Sequence, residues 1–336
     1  MPVITKVPRE MPALSGGPTP EVELALPAFE PQSPALSGTV RFVHSDRTIG
    51  IVPRWVEALG HYHPDLKIET LIVASSVAAK TFVDNDADVA FIGREMLWNE
   101  RDLFAAHFGG LPRRFAGCGG NLDIPGTTHA VAVFVHKDNP LTQISLDQLD
   151  ALYSTTRDQG LDPIRTWGDL GLEGEWAEQP IKLWGQTPDV GFDRFVQERS
   201  LLGGDYREDI ELLHQVDTIP QRVAEDRYAI GYAGFGHGLS APGAKALALS
   251  PKVGEPAVAC TPETVLSQEY PFSRRLYLFV PGAGNEPIPP AVAEILRYAL
   301  SREGQACVAE DGLFLPLPER VVHADRARLE SLARKQ

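Results

Sequence analysis

Short apolar runs recur along this chain from Gly38 onward, and each ends in a polar turn that opens a helix or a loop. Thr39 to Val43 reads as a strand and runs into the polar turn His44 to Thr48. Ile51, Val52, Trp55, Val56 and Leu59 then fall at helical spacing, with Gly60 as the expected stop. Leu66 to Val73 predicts a second strand, followed by the small-residue turn Ala74 to Val77 and a helix reaching Val83. Val89 to Ile92 predicts a third strand that ends at Gly93 and Arg94. In an open parallel sheet the carboxyl ends of such strands lie side by side and form the usual ligand crevice.

The middle of the chain repeats the theme. Ala130 to Val135 reads as a buried strand that leaves through a turn marked by Pro140. Ser145, with Gln148 three residues on, predicts a capping box for a helix over Leu146 to Tyr153. The strand Ile181 to Trp184 breaks into a turn, Gly185 to Gly191, which opens another helix. Backbone N–H groups at such a helix start, and the positive end of its dipole, receive anions well. Further on, the pattern predicts a helix over Thr218 to Glu225 and a strand over Ala229 to Ala233. Strands near Ala246 to Leu249 and Arg275 to Val280 follow, then helices over Pro290 to Ser301 and Arg302 to Glu310. Leu317 and Pro318 begin a closing arm. No internal repeat is visible.

Composition narrows the function. With 336 residues, 43% of them hydrophobic and 23% charged, the chain is long enough for two domains with substantial cores. A formal charge of -14 and the absence of any basic run argue against a nucleic-acid partner. No apolar stretch approaches the roughly 20 residues needed to span a bilayer. Met1 to Gly38 has no apolar core of the kind a secretory signal carries and reads as an extended arm. Cys118, Cys260 and Cys307 form no CxxC pair, and their pairing is not set by the sequence. Asp84, Asp86, Asp88 and Glu95 have the spacing of a calcium loop, but Val89 stands where the sharp turn needs glycine. His61 and His63 read as loop residues, and His129 faces either a cleft or a core. No phosphate loop, nucleophile elbow, zinc motif or dinucleotide fingerprint occurs, so neither a cofactor nor an enzymatic activity is expected.

Five segments together carry a resemblance. They are Val133 to Leu141 (VFVHKDNPL), Thr166 to Trp176 (TWGDLGLEGEW), Asp226 to Tyr232 (DRYAIGY), Tyr270 to Arg274 (YPFSR) and Ser301 to Gln305 (SREGQ). With these in order, the chain from Leu26 to Pro318 resembles the phosphate-binding protein of bacterial ABC phosphate importers, a type II periplasmic binding protein. The resemblance implies an α/β fold of two lobes, each a mainly parallel sheet flanked by helices. Two hinge strands, near Ala130 to Val135 and Ala229 to Ala233, would join them. It implies an extended N-terminal arm over 1–37, a first lobe from 38–130 plus 237–325, a second from 131–236, and a C-terminal tail over 326–336. It further implies a periplasmic or otherwise extracytoplasmic monomer that hands a small anion to an ABC importer complex or a sensor.

The binding turns depart from the family pattern. Where the family reads Gly-Ser-Asp-Thr, this chain has His44, Ser45, Asp46 and Arg47, and Thr48 supplies the hydroxyl only if the turn shifts by one residue. The second turn keeps Ser75 and Ser76 but has Val77 for a threonine, and the third has Gly93 before Arg94. In the fourth, Gly-Arg-Asn-Ser-x-Ser-Gly-Thr reads Gly185 to Phe192, so Gln186, Val190 and Phe192 replace arginine, serine and threonine. The implied ligand set is Ser45, Asp46, Arg47, Thr48, Ser75, Ser76, Arg94, Gln186, Asp189 and Gly191. Each missing donor in a buried site costs about 1–3 kcal/mol. Inorganic phosphate is therefore expected to bind weakly, and a phosphonate or small carboxylate held between Arg47 and Arg94 is expected to be preferred. Were the arginines structural, Asp46 and Glu95 would neutralise them. The alternative is a ligand-free interaction, sensor or structural protein whose cleft is filled by Val190 and Phe192.

Overall fold

The computed structural model describes residues 25–32, 35–124, 127–187, 191–282 and 286–333. In the first third, β1 (Gly38–Ser45), α1 (Val52–Tyr62), β2 (Leu66–Val73), α2 (Ser75–Val83) and β3 (Val89–Ile92) make two strand–helix–strand units. Then come α3 (Trp98–Phe108) and β4 (Arg113–Gly119). The chain crosses into β5 (Val131–His136), β6 (Gln143–Ser145), α4 (Leu146–Tyr153), β7 (Lys182–Gln186) and α5 (Gly191–Ser200). It continues through β8 (Glu211–Leu213), α6 (Ile219–Glu225), β9 (Ala229–Gly234), α7 (Phe235–Gly238), β10 (Ala244–Ala246), β11 (Ala248–Ser250) and α8 (Pro262–Leu266). It returns by β12 (Arg275–Val280) to α9 (Pro290–Ala299), α10 (Arg302–Asp311) and α11 (Glu319–Ala333).

Two five-stranded sheets result, ordered β2-β1-β3-β12-β4 and β10-β5-β9-β7-β8. Each has its own apolar core, the first around Trp55, Phe91 and Phe314, the second around Tyr153, Trp167 and Tyr232. This is a two-lobed α/β architecture, but its sheets are mixed and not mainly parallel. β1 runs parallel to β2 and β3, whereas β12 returns from the other lobe and inserts antiparallel between β3 and β4. In the second sheet β7 is parallel to β8 and β9, while β5 is antiparallel to β9 and β10. Strand direction depends on where the chain comes back from, which local periodicity does not carry.

Local signals account for the helix ends. The Ser145 box forms: the Ser145 N–H donates to Gln148 Oε1 at 3.0 Å, and Gln148 N–H donates to Ser145 Oγ at 3.4 Å. α1 runs past Gly60 and stops at Tyr62, because Pro64 forces His63 out of the helical region.

Three sequence expectations shift. β10 pairs with β5, β11 pairs with β6, and Leu247, Leu249, Val265 and Phe272 pack in the second core. On this pairing we assign 244–272 to the second lobe, where the sequence division gave 237–325 to the first; β10 goes there because β5 leaves an edge free. The described part of the N-terminal arm is docked: Leu26 and Phe29 enter the first core, and Phe29 N–H donates to Glu303 Oε2 at 2.7 Å. The closing arm is the helix α11, whose Val321, Val322 and Leu329 are buried against that core. Among the described residues no helix is long and apolar enough to cross a membrane.

Candidate functional site

The parallel strands β1, β2 and β3 end on the same edge of the first sheet, so the turns that follow them are delivered together. With the end of β7 and the start of α5 opposite, they enclose a cavity of about 470 Å³, walled by Arg47, Ser75, Gly93 and Arg94 on one side and Gln186 and Phe192 on the other. The described residues of the four turns singled out in the sequence thus meet at one space.

Within the first turn the residues divide. Ser45 is buried and caps the short 3-10 turn Asp46–Thr48, its Oγ accepting from Arg47 N–H at 3.2 Å and lying 3.1 Å from Ser75 Oγ. Thr48 is buried too; its hydroxyl donates to the Ser45 carbonyl at 2.9 Å and sits 3.1 Å from His44 Nδ1, so it serves the turn and not the cavity wall. Asp46 and Arg47 do line the cavity. Among the described residues no carboxylate pairs with the Arg47 guanidinium.

Ser75 opens α2, and the residue before it, Ala74, has no side chain able to cap the helix. Val77 N–H donates to the Ala74 carbonyl at 2.9 Å, which leaves the N–H groups of Ser75 and Ser76 at the helix start. Ser76 is exposed and lies off the cavity wall. Gly93 is where two hydroxyls come closest: a Cβ there would lie 2.8 Å from Ser45 Oγ and 2.9 Å from Ser75 Oγ. Glycine lets both serines approach, with Ser75 on the cavity wall and Ser45 buried behind it.

Arg94 lines the cavity but is already engaged. Its Nη2 and Nη1 donate to Glu100 at 2.6 and 2.9 Å, and Glu100 also accepts from Leu97 N–H at the start of α3. The expected partner, Glu95, turns instead to Arg274, pairing with it in a buried fork. Asp46 accepts from Ser45 Oγ at 3.2 Å and does not pair with Arg47.

On the opposite wall Gln186 is buried at the end of β7, and its Oε1 finds no donor among the described residues. Gly191 is the first residue of α5; Asp189 and Val190 lie outside the described residues. Phe192 stands edge-on to the His129 ring at 5.3 Å, with the Arg274 guanidinium 4.7 Å from the Phe192 ring centre. His129 and His237 face each other at 4.7 Å between ring centres. Burial, then the nearby His237 and Arg274, pushes His129 down to about 3, and burial lowers His237 as well. Both rings are therefore neutral at neutral pH, and each has an Nδ1 without a partner among the described residues.

Arg274, His237 and Thr128 were missed as cavity residues in the sequence reading. Arg274 sits at the end of the Tyr270 to Arg274 segment, but its pairing with Glu95 spans 179 residues and leaves no local trace. The calcium-like spacing dissolves into ion pairs, Asp84 with Lys80 and Asp88 with Arg41. Among the described residues no group of three or more histidine, cysteine or acidic side chains is placed to hold a metal ion.

A family model described as a PBP superfamily domain matches residues 30–303. The chain belongs to the PBP superfamily. Within that superfamily it is 32% identical over 301 residues to the phosphate-binding protein PstS of Pseudomonas aeruginosa, with 89% of each chain covered. It is 27% identical over 201 residues to the protein SphX of Synechocystis sp., covering 59% of this chain and 57% of that one. The crystal structure of PstS from Borrelia burgdorferi shares the fold, with a TM-score of 0.53 at 16% identity, covering 84% of this chain and 100% of that one. As a PBP superfamily member of this kind the chain is a solute-binding protein and not an enzyme. Two lobes with a polar cavity between them are what that role requires.

Proposed function

We propose that this protein is an extracytoplasmic solute-binding protein that captures an oxyanion of the phosphate class between its lobes and delivers it to an ABC importer. The observation that carries the reading is Arg47. It is a guanidinium on the cavity wall with no carboxylate partner among the described residues, beside Ser75 and the uncapped start of α2. Guanidinium binds phosphate oxygens as a two-pronged fork, and a helix start adds N–H donors of the same sign. The 32% identity to a phosphate-binding protein over 89% of the chain supports the ligand class, and the importer partner is part of the same proposal. A carboxylate as the preferred ligand has no such support.

The donor set is thinner than the family pattern. Arg94 is engaged by Glu100, Thr48 by its own turn, and Phe192 offers no donor. Phosphate should accordingly bind through Arg47, the Ser75 hydroxyl and backbone N–H groups, more weakly than a full set of donors would allow. Calorimetric titration with inorganic phosphate tests this: saturable one-to-one binding supports it. No binding of phosphate or a phosphonate would favour the alternative, a cleft closed by Phe192.

A further inference from the structure

On the far side of the Glu95–Arg274 pair lies a second cavity, of about 420 Å³, which the cleft reading does not use. Its walls carry Arg101, Arg114, Arg199 and Arg275 against the carboxylates of Glu95 and Glu198. Both carboxylates are already paired: Glu95 in the buried fork with Arg274, and Glu198 with Arg101 of the same wall and with Arg194. Arg114, Arg199 and Arg275 are left without a carboxylate partner among the described residues. Three uncompensated guanidiniums share one recess in a chain whose net charge is -14. Like charges so placed repel each other unless an anion lies between them.

The arginines are held in place by contacts that spare their terminal nitrogens. Arg199 donates through Nε to the Pro271 carbonyl at 3.0 Å, Arg275 donates through Nε to Gln268 Oε1, and Arg114 lies over the Tyr277 ring at 5.0 Å. Ser273 Oγ, in the same wall, has no hydrogen-bond partner among the described residues. Desolvation first, then the neighbouring Arg275 and Arg114, lowers the Arg199 guanidinium from its ordinary value, as expected of cations gathered without a counter-ion.

We propose that this recess is a second anion site, built for an oxyanion of high charge such as pyrophosphate or a longer phosphoanhydride chain. One phosphate dianion leaves one of the three guanidiniums uncompensated, whereas the three or four charges of pyrophosphate match them. A cavity of 420 Å³ has room for more than one phosphoryl group. Its walls belong to both lobes, Arg114 and Tyr277 to β4 and β12 of the first sheet, and Arg199 to α5 over the second. An occupant therefore bridges the lobes and favours their closed arrangement.

The test is calorimetric titration of pyrophosphate at fixed ionic strength into the Arg47→Gln variant, which takes the cleft arginine out of the measurement. The expected result is saturable binding that weakens at least tenfold when Arg199→Gln and Arg275→Gln are added, with circular dichroism confirming the fold. Absence of saturable binding in Arg47→Gln, or unchanged affinity after the two further replacements, overturns the proposal. If the triple variant does not fold, Arg114→Gln in the Arg47→Gln background replaces it. A loss of threefold or more is then expected, and an unchanged affinity overturns the site. Phosphate titration of the parent protein reports on the cleft separately, so the two readings can fail independently.

Discussion

Arg47 and Arg94 lie on one cavity wall yet differ in what their charge is free to do. Arg94 spends its fork on Glu100, while Arg47 has no carboxylate on it among the described residues. Replacing Arg47 with Gln should therefore weaken phosphate binding by about 1.5–3 kcal/mol, the range of a charged hydrogen bond, which is roughly 10- to 150-fold. Arg94→Gln should leave affinity within about threefold of the parent and lower stability by about 1 kcal/mol, since the pair it breaks is mostly screened from water. Titration calorimetry and denaturant unfolding separate the two outcomes. The histidines make a pH prediction. Burial pushes His44 to about 4 and His129 to about 3, from an ordinary value of 6.5. Between those limits the unfolded chain binds protons that the fold excludes, so stability is full above about pH 6.5 and falls as pH drops toward 4. The melting temperature should follow that course, and His129→Gln should flatten it; a melting temperature independent of pH over this window would show that neither ring is held neutral.

At the level of elements, α3 and α5 meet across the mouth between the lobes. Trp98 Nε1 donates to Gln197 Oε1 at 2.8 Å, the Arg194 guanidinium lies over the Trp98 ring, and Arg101 and Arg194 both reach Glu198. These contacts hold the lobes together, so Trp98→Ala should raise the radius of gyration of the ligand-free protein by small-angle scattering. An unchanged radius would mean that the spacing of the lobes is set by other contacts. The strand ends that build the cleft were legible in the sequence because each is a purely local event, an apolar run stopping at a polar turn. Ser145 and Gln148 were legible for the same reason. α3 was not, because only Phe104 of its eleven residues is buried and no apolar stripe marks it. The antiparallel entry of β12, the edge position of β10 and the Glu95–Arg274 fork were equally hidden. Each joins residues far apart in the chain, and the identity of a pairing partner is not written in either segment alone.

For the whole molecule, two lobes with separate cores meet around the polar cleft that holds Arg47, and a ligand held by both must stabilise the pair. At about 100 times its dissociation constant a ligand adds roughly 2.7 kcal/mol to stability. Saturating phosphate should thus raise the melting temperature of the parent protein, and that of Arg47→Gln by clearly less at the same concentration. The polar strand ends read in the sequence mark where the cavity lies, because the fold brings those strand ends together. They foretold less of its charge, because that depends on which carboxylate reaches which arginine. Capture of an oxyanion in the cleft therefore depends on Arg47, the cavity guanidinium with no carboxylate partner among the described residues. The most direct measurement is calorimetric titration of inorganic phosphate into the parent protein, Arg47→Gln and Arg275→Gln at one fixed ionic strength. Saturable one-to-one binding in the parent, at least tenfold weaker binding in Arg47→Gln, and an affinity in Arg275→Gln close to the parent's are the expected results. No binding in the parent, or equal binding in the parent and Arg47→Gln, would contradict this role of Arg47.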